Sequence, residues 1–138
     1  MKILIDTNVV LDFLCRRQDF FNDAQTIIRL CETDKLTGLI SALTIPNIVY
    51  IMRKELTCEK VESFLEYMFL LFSVVDLKTS DLTNAAKLNF KDYEDAVQSV
   101  CAQRVKADYI ITRNTKDFIK SKVKAVTPSE FLNFMIQI

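Results

Sequence analysis

Three aspartates, Asp6, Asp95 and Asp117, stand where hydrophobic segments of this chain meet polar ones. Asp6 closes the apolar run Ile3-Leu4-Ile5 and is followed by Thr7-Asn8. Asp95 opens an amphipathic stretch and is followed by Ala96. Asp117 lies just past Ile110-Ile111-Thr112, within Thr112-Arg113-Asn114-Thr115-Lys116-Asp117-Phe118. Carboxylates brought together repel one another unless a cation neutralises them. Oxygen-only ligands select hard cations, so the trio reads as a candidate site for Mg²⁺ or Mn²⁺. Such an ion can activate water and steady the charge that builds on a transferring phosphate. A phosphodiester is then the natural substrate class.

Each position also has a purely structural reading. Asp6 suits an N-cap for a helix starting near Thr7. Asp92 and Asp95 are three apart and share one side of a helix start. Asp-x-x-Asp there resembles a capping box, and acids in a first turn are favoured by the helix dipole. Asn114 suits a turn, and Asp117 a cap or surface acid. Arg113 and Lys116 flank the acids, while Arg16, Arg17, Arg53 and Lys54 follow two helical segments. Each could contact a phosphate, and each would serve equally as solvated surface.

The elements that must position these residues are legible from periodicity. Ile3 to Ile5, Thr37 to Ser41, Ser73 to Leu77, Tyr109 to Thr112 and Lys124 to Val126 read as short strands, the last at a sheet edge. Helices are expected from Val9 to Cys15, over the apolar series Phe20, Ala24, Ile27, Ile28 and Cys31, and after a Thr44 cap with Pro46 in the first turn. Further helices are expected over Val61 to Phe72, from a cap near Thr79 or Ser80 to about Phe90, from an Asp92 cap along Ala96, Val97, Val100, Cys101 and Val105, and after Thr127-Pro128. Strands alternating with helices imply an α/β three-layer sandwich with a mostly parallel central sheet. Ligands of such a sheet bind outside the carboxyl ends of its strands. Asp6 and Asp117 follow two such ends, and Asp95 opens the helix that leads into the strand ending at Thr112.

Composition removes several alternatives. The chain has 138 residues, suiting one domain over 1–138. Lys and Arg number 18, as do Asp and Glu, so any nucleic-acid contact must come from a local patch rather than a basic excess. There is no histidine, which excludes Ser-His-Asp and Cys-His catalysis and His-ligated zinc. Gly38 is the single glycine, which excludes a P-loop or a dinucleotide fingerprint. Cys15, Cys31, Cys58 and Cys101 have no CxxC spacing and fit small buried apolar residues of a reducing compartment. The N-terminus has no apolar signal core, and the longest apolar stretch, Met68 to Phe72, is too short to span a bilayer. A cytoplasmic location without membrane contact is the expectation.

The opening Lys2-Ile3-Leu4-Ile5-Asp6-Thr7-Asn8, the central Ser41-Ala42-Leu43-Thr44, Asp92-Tyr93-Glu94-Asp95-Ala96 and Ile111-Thr112-Arg113-Asn114 through Asp117-Phe118 together resemble the PIN domain, the nuclease fold of VapC-type toxins of bacterial toxin–antitoxin pairs. The resemblance spans nearly the whole chain. It implies a Mg²⁺- or Mn²⁺-dependent endoribonuclease in which Asp6, Asp95 and Asp117 bind metal. Asn8 and Asn114 would support them by hydrogen bonds, and Asp92 would be an additional acid. It further implies an RNA substrate, a cognate antitoxin that covers the acidic groove, and a homodimer. One departure stands out. The toxin pattern places a glutamate on the helix after Ser41 to Thr44, and this chain has Asn47 there. An amide can coordinate or hydrogen-bond but carries no charge, which predicts weaker metal affinity unless Asp92 compensates.

Two other functions compete. Asp6 could be the nucleophile of a phosphohydrolase resembling haloacid dehalogenases, although their pattern wants an acid where Asn8 stands; a trapped aspartyl-phosphate would reveal it. Alternatively, Asn47 marks a catalytically weak or inactive RNA- or protein-binding module. RNA binding without cleavage at saturating Mn²⁺ would identify that.

Overall fold

A computed structural model describes residues 1–136; residues 137 and 138, included in the expected single domain, lie outside the described residues. Five strands form one sheet: β1 (Lys2–Ile5), β2 (Thr37–Ser41), β3 (Ser73–Val75), β4 (Tyr109–Ile111) and β5 (Ala125–Val126). Their order is β3-β2-β1-β4-β5 and every neighbouring pair is parallel. The mostly parallel sheet expected from the sequence is therefore wholly parallel. The register pairs Leu4 with Leu39 on one side and with Ile110 on the other.

Both faces are covered, as parallel sheets require. Side chains alternate along a strand, so Ile3 and Ile5 enter one core and Leu4 the other. The first core is closed by α1 (Thr7–Leu14), α2 (Phe21–Glu32), α3 (Thr44–Met52), α4 (Cys58–Leu71) and α7 (Pro128–Ile136). The second is closed by α5 (Thr79–Ala86), α6 (Tyr93–Arg104) and the 3-10 turn Thr115–Phe118. Gly38 is required by packing: a Cβ built there would lie 2.7 Å from the Phe72 ring and 2.8 Å from the Cys31 sulfur.

The boundaries differ in places from the sequence reading. Strand β3 stops at Val75, two residues short of Leu77. Thr44 does not cap α3; Leu43 occupies that position, and the Thr44 hydroxyl instead bonds side chains beneath the site. Lys78 rather than Thr79 or Ser80 precedes α5, with its amide donating to Asp81 at 3.0 Å. Cys31 and Cys101 are buried as expected, but Cys58 in the first turn of α4 is exposed.

Strand order reverses between β1 and β4. After β1 the chain moves outward through β2 and β3, then returns to the other side of β1 as β4. This switch point opens a crevice at the carboxyl ends of the two strands. Asp6 is the first residue beyond β1, and Thr112-Arg113-Asn114 the first beyond β4.

Candidate active site

Asp6 is fixed from several directions. Its amide continues the sheet by donating to the Ile111 carbonyl at 2.9 Å. Its carboxylate accepts from the Thr7 amide at 2.8 Å and the Thr112 hydroxyl at 2.8 Å. The side chain caps α1 as well, so the structural and the site readings of Asp6 hold together. Burial pushes its pKa above the ordinary aspartate value. The bonds from Thr112 and Thr7 oppose that push, and the charges of Asp92 and Asp117 add to it.

Asp92 caps α6, accepting from the Asp95 amide at 3.2 Å. Asp95, in the first turn of the helix, is half-buried. Its carboxyl is pushed up to about 7, first by burial and then by the charges of Asp6, Asp92, Asp117 and Glu94. Asp117 reaches the same place from the 3-10 turn after β4. All these acids line one cavity of about 630 Å³ at the switch point, with Asn8, Asn47 and Asn114. Carboxylates drawn from three chain segments feel one another there, as a cation site requires.

Among the described residues, no three acidic side chains are drawn tightly enough around one point to form a ready-made metal cage. The shared cavity and the mutual charge effects still tie the acids to one site. Asp6 is engaged by Thr7 and Thr112. The donor set is oxygen only, which suits a hard divalent cation.

Comparison with known proteins identifies the fold. The PIN domain family profile matches residues 2–116. The chain belongs to the PIN domain family. A similar protein is Ribonuclease VapC1 of Aquifex aeolicus (strain VF5), 25% identical over 135 residues, which are 94% of this chain and 92% of that protein. Among solved structures, VapBC2 from Rickettsia felis bound to a DNA fragment from its promoter has a TM-score of 0.70 at 16% identity, covering 92% of this chain and 98% of that one. A toxin-antitoxin complex from Klebsiella pneumoniae has a TM-score of 0.69 at 24% identity, covering 91% and 97%. These structures share the three-layer α/β fold.

In this PIN domain Asn8 ties two of the acid-bearing segments together. Asn8 Nδ2 donates to the Thr112 hydroxyl at 3.4 Å, and Asn8 Oδ1 accepts from the Arg113 amide at 3.4 Å. The Asn114 amide donates to the Thr112 hydroxyl at 3.1 Å. Asn47 Nδ2 donates to Glu94 at 3.3 Å, which brings an acid from α6 beside the uncharged amide. Arg113 faces away from the acids. Its Nε and Nη2 bond the fully buried Asp12 at 2.7 and 3.2 Å, and its guanidinium lies 4.0 Å from the Phe20 ring centroid. Lys116 lines neighbouring depressions rather than the acidic cavity.

The sequence reading missed the floor of the site. Gln98, 3% exposed, donates to the Thr44 hydroxyl at 3.1 Å and toward Asp6 at 3.5 Å. Its Oε1 is buried with no hydrogen-bond partner. Thr44 and Thr7 hydroxyls lie 3.0 Å apart, closing the network. A signal was present: a glutamine interrupts the apolar stripe Ala96, Val97, Val100 and Cys101. Glu94 was missed because its relation to Asn47 spans 47 positions.

Proposed function

We propose that this PIN domain is a divalent-metal-dependent endoribonuclease, the toxin of a toxin–antitoxin pair acting in the cytoplasm. The observation that carries the reading is the convergence of Asp6, Asp95 and Asp117, from three separate elements, on one cavity at the sheet's switch point. Asp6, Asp95 and Asp117 would hold Mg²⁺ or Mn²⁺. When bound, that ion supplies a nucleophilic water at neutral pH and charge stabilisation for the transferring phosphoryl group. The protein's own part is positional. Thr7, Thr112 and Gln98 orient the Asp6 carboxylate. Asn8 locks the β1 and β4 ends to each other through Thr112 and the Arg113 amide, and the Asn114 main-chain amide shapes the turn beyond β4. Asp92 caps the turn that presents Asp95. Glu94, held by Asn47, supplies negative charge beside the position that lacks it.

Membership of the PIN family leaves the aspartyl-phosphate reading of Asp6 without support. The names of the similar proteins favour a cognate antitoxin partner and an RNA substrate, and self-association belongs to the same proposal. The four free thiols suit a reducing compartment. No helix among the described residues is long and apolar enough to cross a membrane. Purified protein incubated with structured RNAs and Mn²⁺, beside Asp6→Asn, tests the activity. The wild type is expected to cut and the variant to lose at least roughly 100-fold in rate. Equal cutting by both would assign the activity to a contaminating nuclease. RNA binding without cutting would favour the binding-module reading instead.

A further inference from the structure

The cavity has two ends of different chemistry. One end holds the acids. The other is lined by Leu11, Arg17, Tyr50, Ile51 and Lys54, and among the described residues Arg17 and Lys54 are the only cations along the lining. Residues 47, 50, 51 and 54 are spaced to share one side of α3 and the turn that follows it. At about 1.5 Å per residue, Asn47 and Lys54 are separated by about 10 Å along the helix axis, a distance on the scale of a nucleotide. Asn47 marks the acidic end through its bond to Glu94.

Tyr50 is 67% exposed, so its ring is open to solvent beside the cavity. The Lys54 ammonium lies 4.6 Å from its centroid, so the cation already sits at the ring. Arg17 is the less committed partner of Asp12. It approaches one carboxylate oxygen at 3.4 Å, whereas Arg113 bonds both, at 2.7 and 3.2 Å. Arg17 can leave Asp12 without stranding a buried charge.

We infer that this end of the cavity is a subsite for single-stranded RNA: Tyr50 stacks on a base flanking the scissile phosphate, and Lys54 and Arg17 take the next phosphate along the strand. The inference rests on the nuclease reading and names where its substrate lies. An aromatic ring accepts any unpaired base, because every base has a π-face. Single-stranded RNA is read by such stacking, whereas a duplex keeps its bases stacked within the helix. The polarity is fixed as well: negative phosphate meets cations at one end, and the acids at the other face a phosphate only across a cation.

The test separates the subsite from the chemistry. Binding of a short single-stranded RNA containing 2-aminopurine is titrated in EDTA with wild type, Tyr50→Ala, Tyr50→Phe and Lys54→Gln, and cleavage of the same RNA is followed in Mn²⁺. Tyr50→Ala is expected to weaken binding about 10-fold and raise KM to match, with kcat within about 2-fold. Tyr50→Phe keeps the ring and is expected to behave as wild type. Lys54→Gln is expected to lower the salt dependence of binding by about one phosphate contact. Tyr50-dependent binding with no cleavage supports the subsite and refutes the nuclease reading. Cleavage and binding indifferent to Tyr50→Ala overturn the subsite and leave the nuclease standing. Equal affinity for duplex RNA, equal losses in the Phe and Ala variants, or no wild-type binding at all would each overturn it too. Tyr50 is surface-exposed, and unchanged melting of its variants confirms that they fold.

Discussion

Replacing Asp95 by asparagine should make the metal-free protein more stable at neutral pH while weakening its response to metal. The Asp95 carboxyl is pushed from 3.8 up to about 7 by burial and by its acidic neighbours. Below the lower value it is protonated in both the folded and unfolded chains. Between the two values only the unfolded chain gives up the proton, so stability falls as pH rises through this window and levels off above it. At about 1.36 kcal/mol per pH unit, the interval corresponds to about 4 kcal/mol. Solvent screens a half-buried carboxylate and reduces the effect to about 1–2 kcal/mol. For a chain of this length that is about 3–8 °C in melting temperature. Asparagine keeps the shape and the backbone bond from residue 95 to Asp92 but never ionises.

Calorimetric melting in EDTA at pH 5 and pH 8 provides the assay, repeated with a Mn²⁺ series at pH 8. The variant should exceed the wild type by several degrees at pH 8, and the gap should narrow towards pH 4. Mn²⁺ at about 100 times its Kd should stabilise the wild type by about 2.7 kcal/mol, with a clearly smaller gain for the variant. A variant no more stable than wild type at pH 8, with a pH-independent gap and the same Mn²⁺ response, would refute the reading that burial and acidic neighbours together oppose ionisation of Asp95.

Arg113→Ala leaves the buried Asp12 with only the long contact to Arg17 and should cost about 3 kcal/mol in urea denaturation. Arg113→Lys should recover only part, because a point charge cannot reproduce the paired bonds. Gln98→Leu removes an orphaned buried acceptor but also the bonds donated to Thr44 and Asp6, and should lower metal-free stability by about 1 kcal/mol, while Mn²⁺ affinity, read by electron paramagnetic resonance, falls as Asp6 loses a support. Gly38→Ala drives a methyl into Phe72 and Cys31 and should destabilise by about 1–3 kcal/mol; Phe72→Leu added to it should restore part of the loss.

What the sequence disclosed followed the length scale of each interaction. Ile3 to Asp6 and Ile110 to Thr112 were readable because a buried parallel strand writes itself as a short apolar run, and the acids were readable because they close or follow such runs. Thr44 was read as a cap because a threonine before a helix commonly is one; its tertiary partners, Thr7 and Gln98, lie 37 and 54 positions away. Arg113 looked like a phosphate contact because it flanks acids in sequence. Asp12, 101 positions away, engages it in the fold. The acid beside Asn47 was sought at Asp92, yet Glu94 is the side chain that Asn47 bonds. Helical spacing alone does not decide which of two neighbouring side chains reaches across to another helix.

The placement of the strong ion pairs explains how the acids can stay together. Asp12–Arg113 joins α1 to the segment beyond β4, so it spans the two elements that carry Asp6 and Asp117. Asp81–Arg104 joins α5 to the far end of α6, with Arg104 also donating to the Asp76 carbonyl at 2.6 Å, and so anchors the helix whose other end presents Asp95. Each buried aspartate in these pairs is neutralised by an arginine outside the cavity. The repulsion inside the cavity therefore acts between segments already clamped elsewhere. It can lower stability and spread the exposed carboxylates, but it cannot release β1, β4 or α6 from one another. Breaking either clamp should loosen the acids without changing any of them, so metal affinity in Arg113→Ala should fall even though Arg113 faces away from the site.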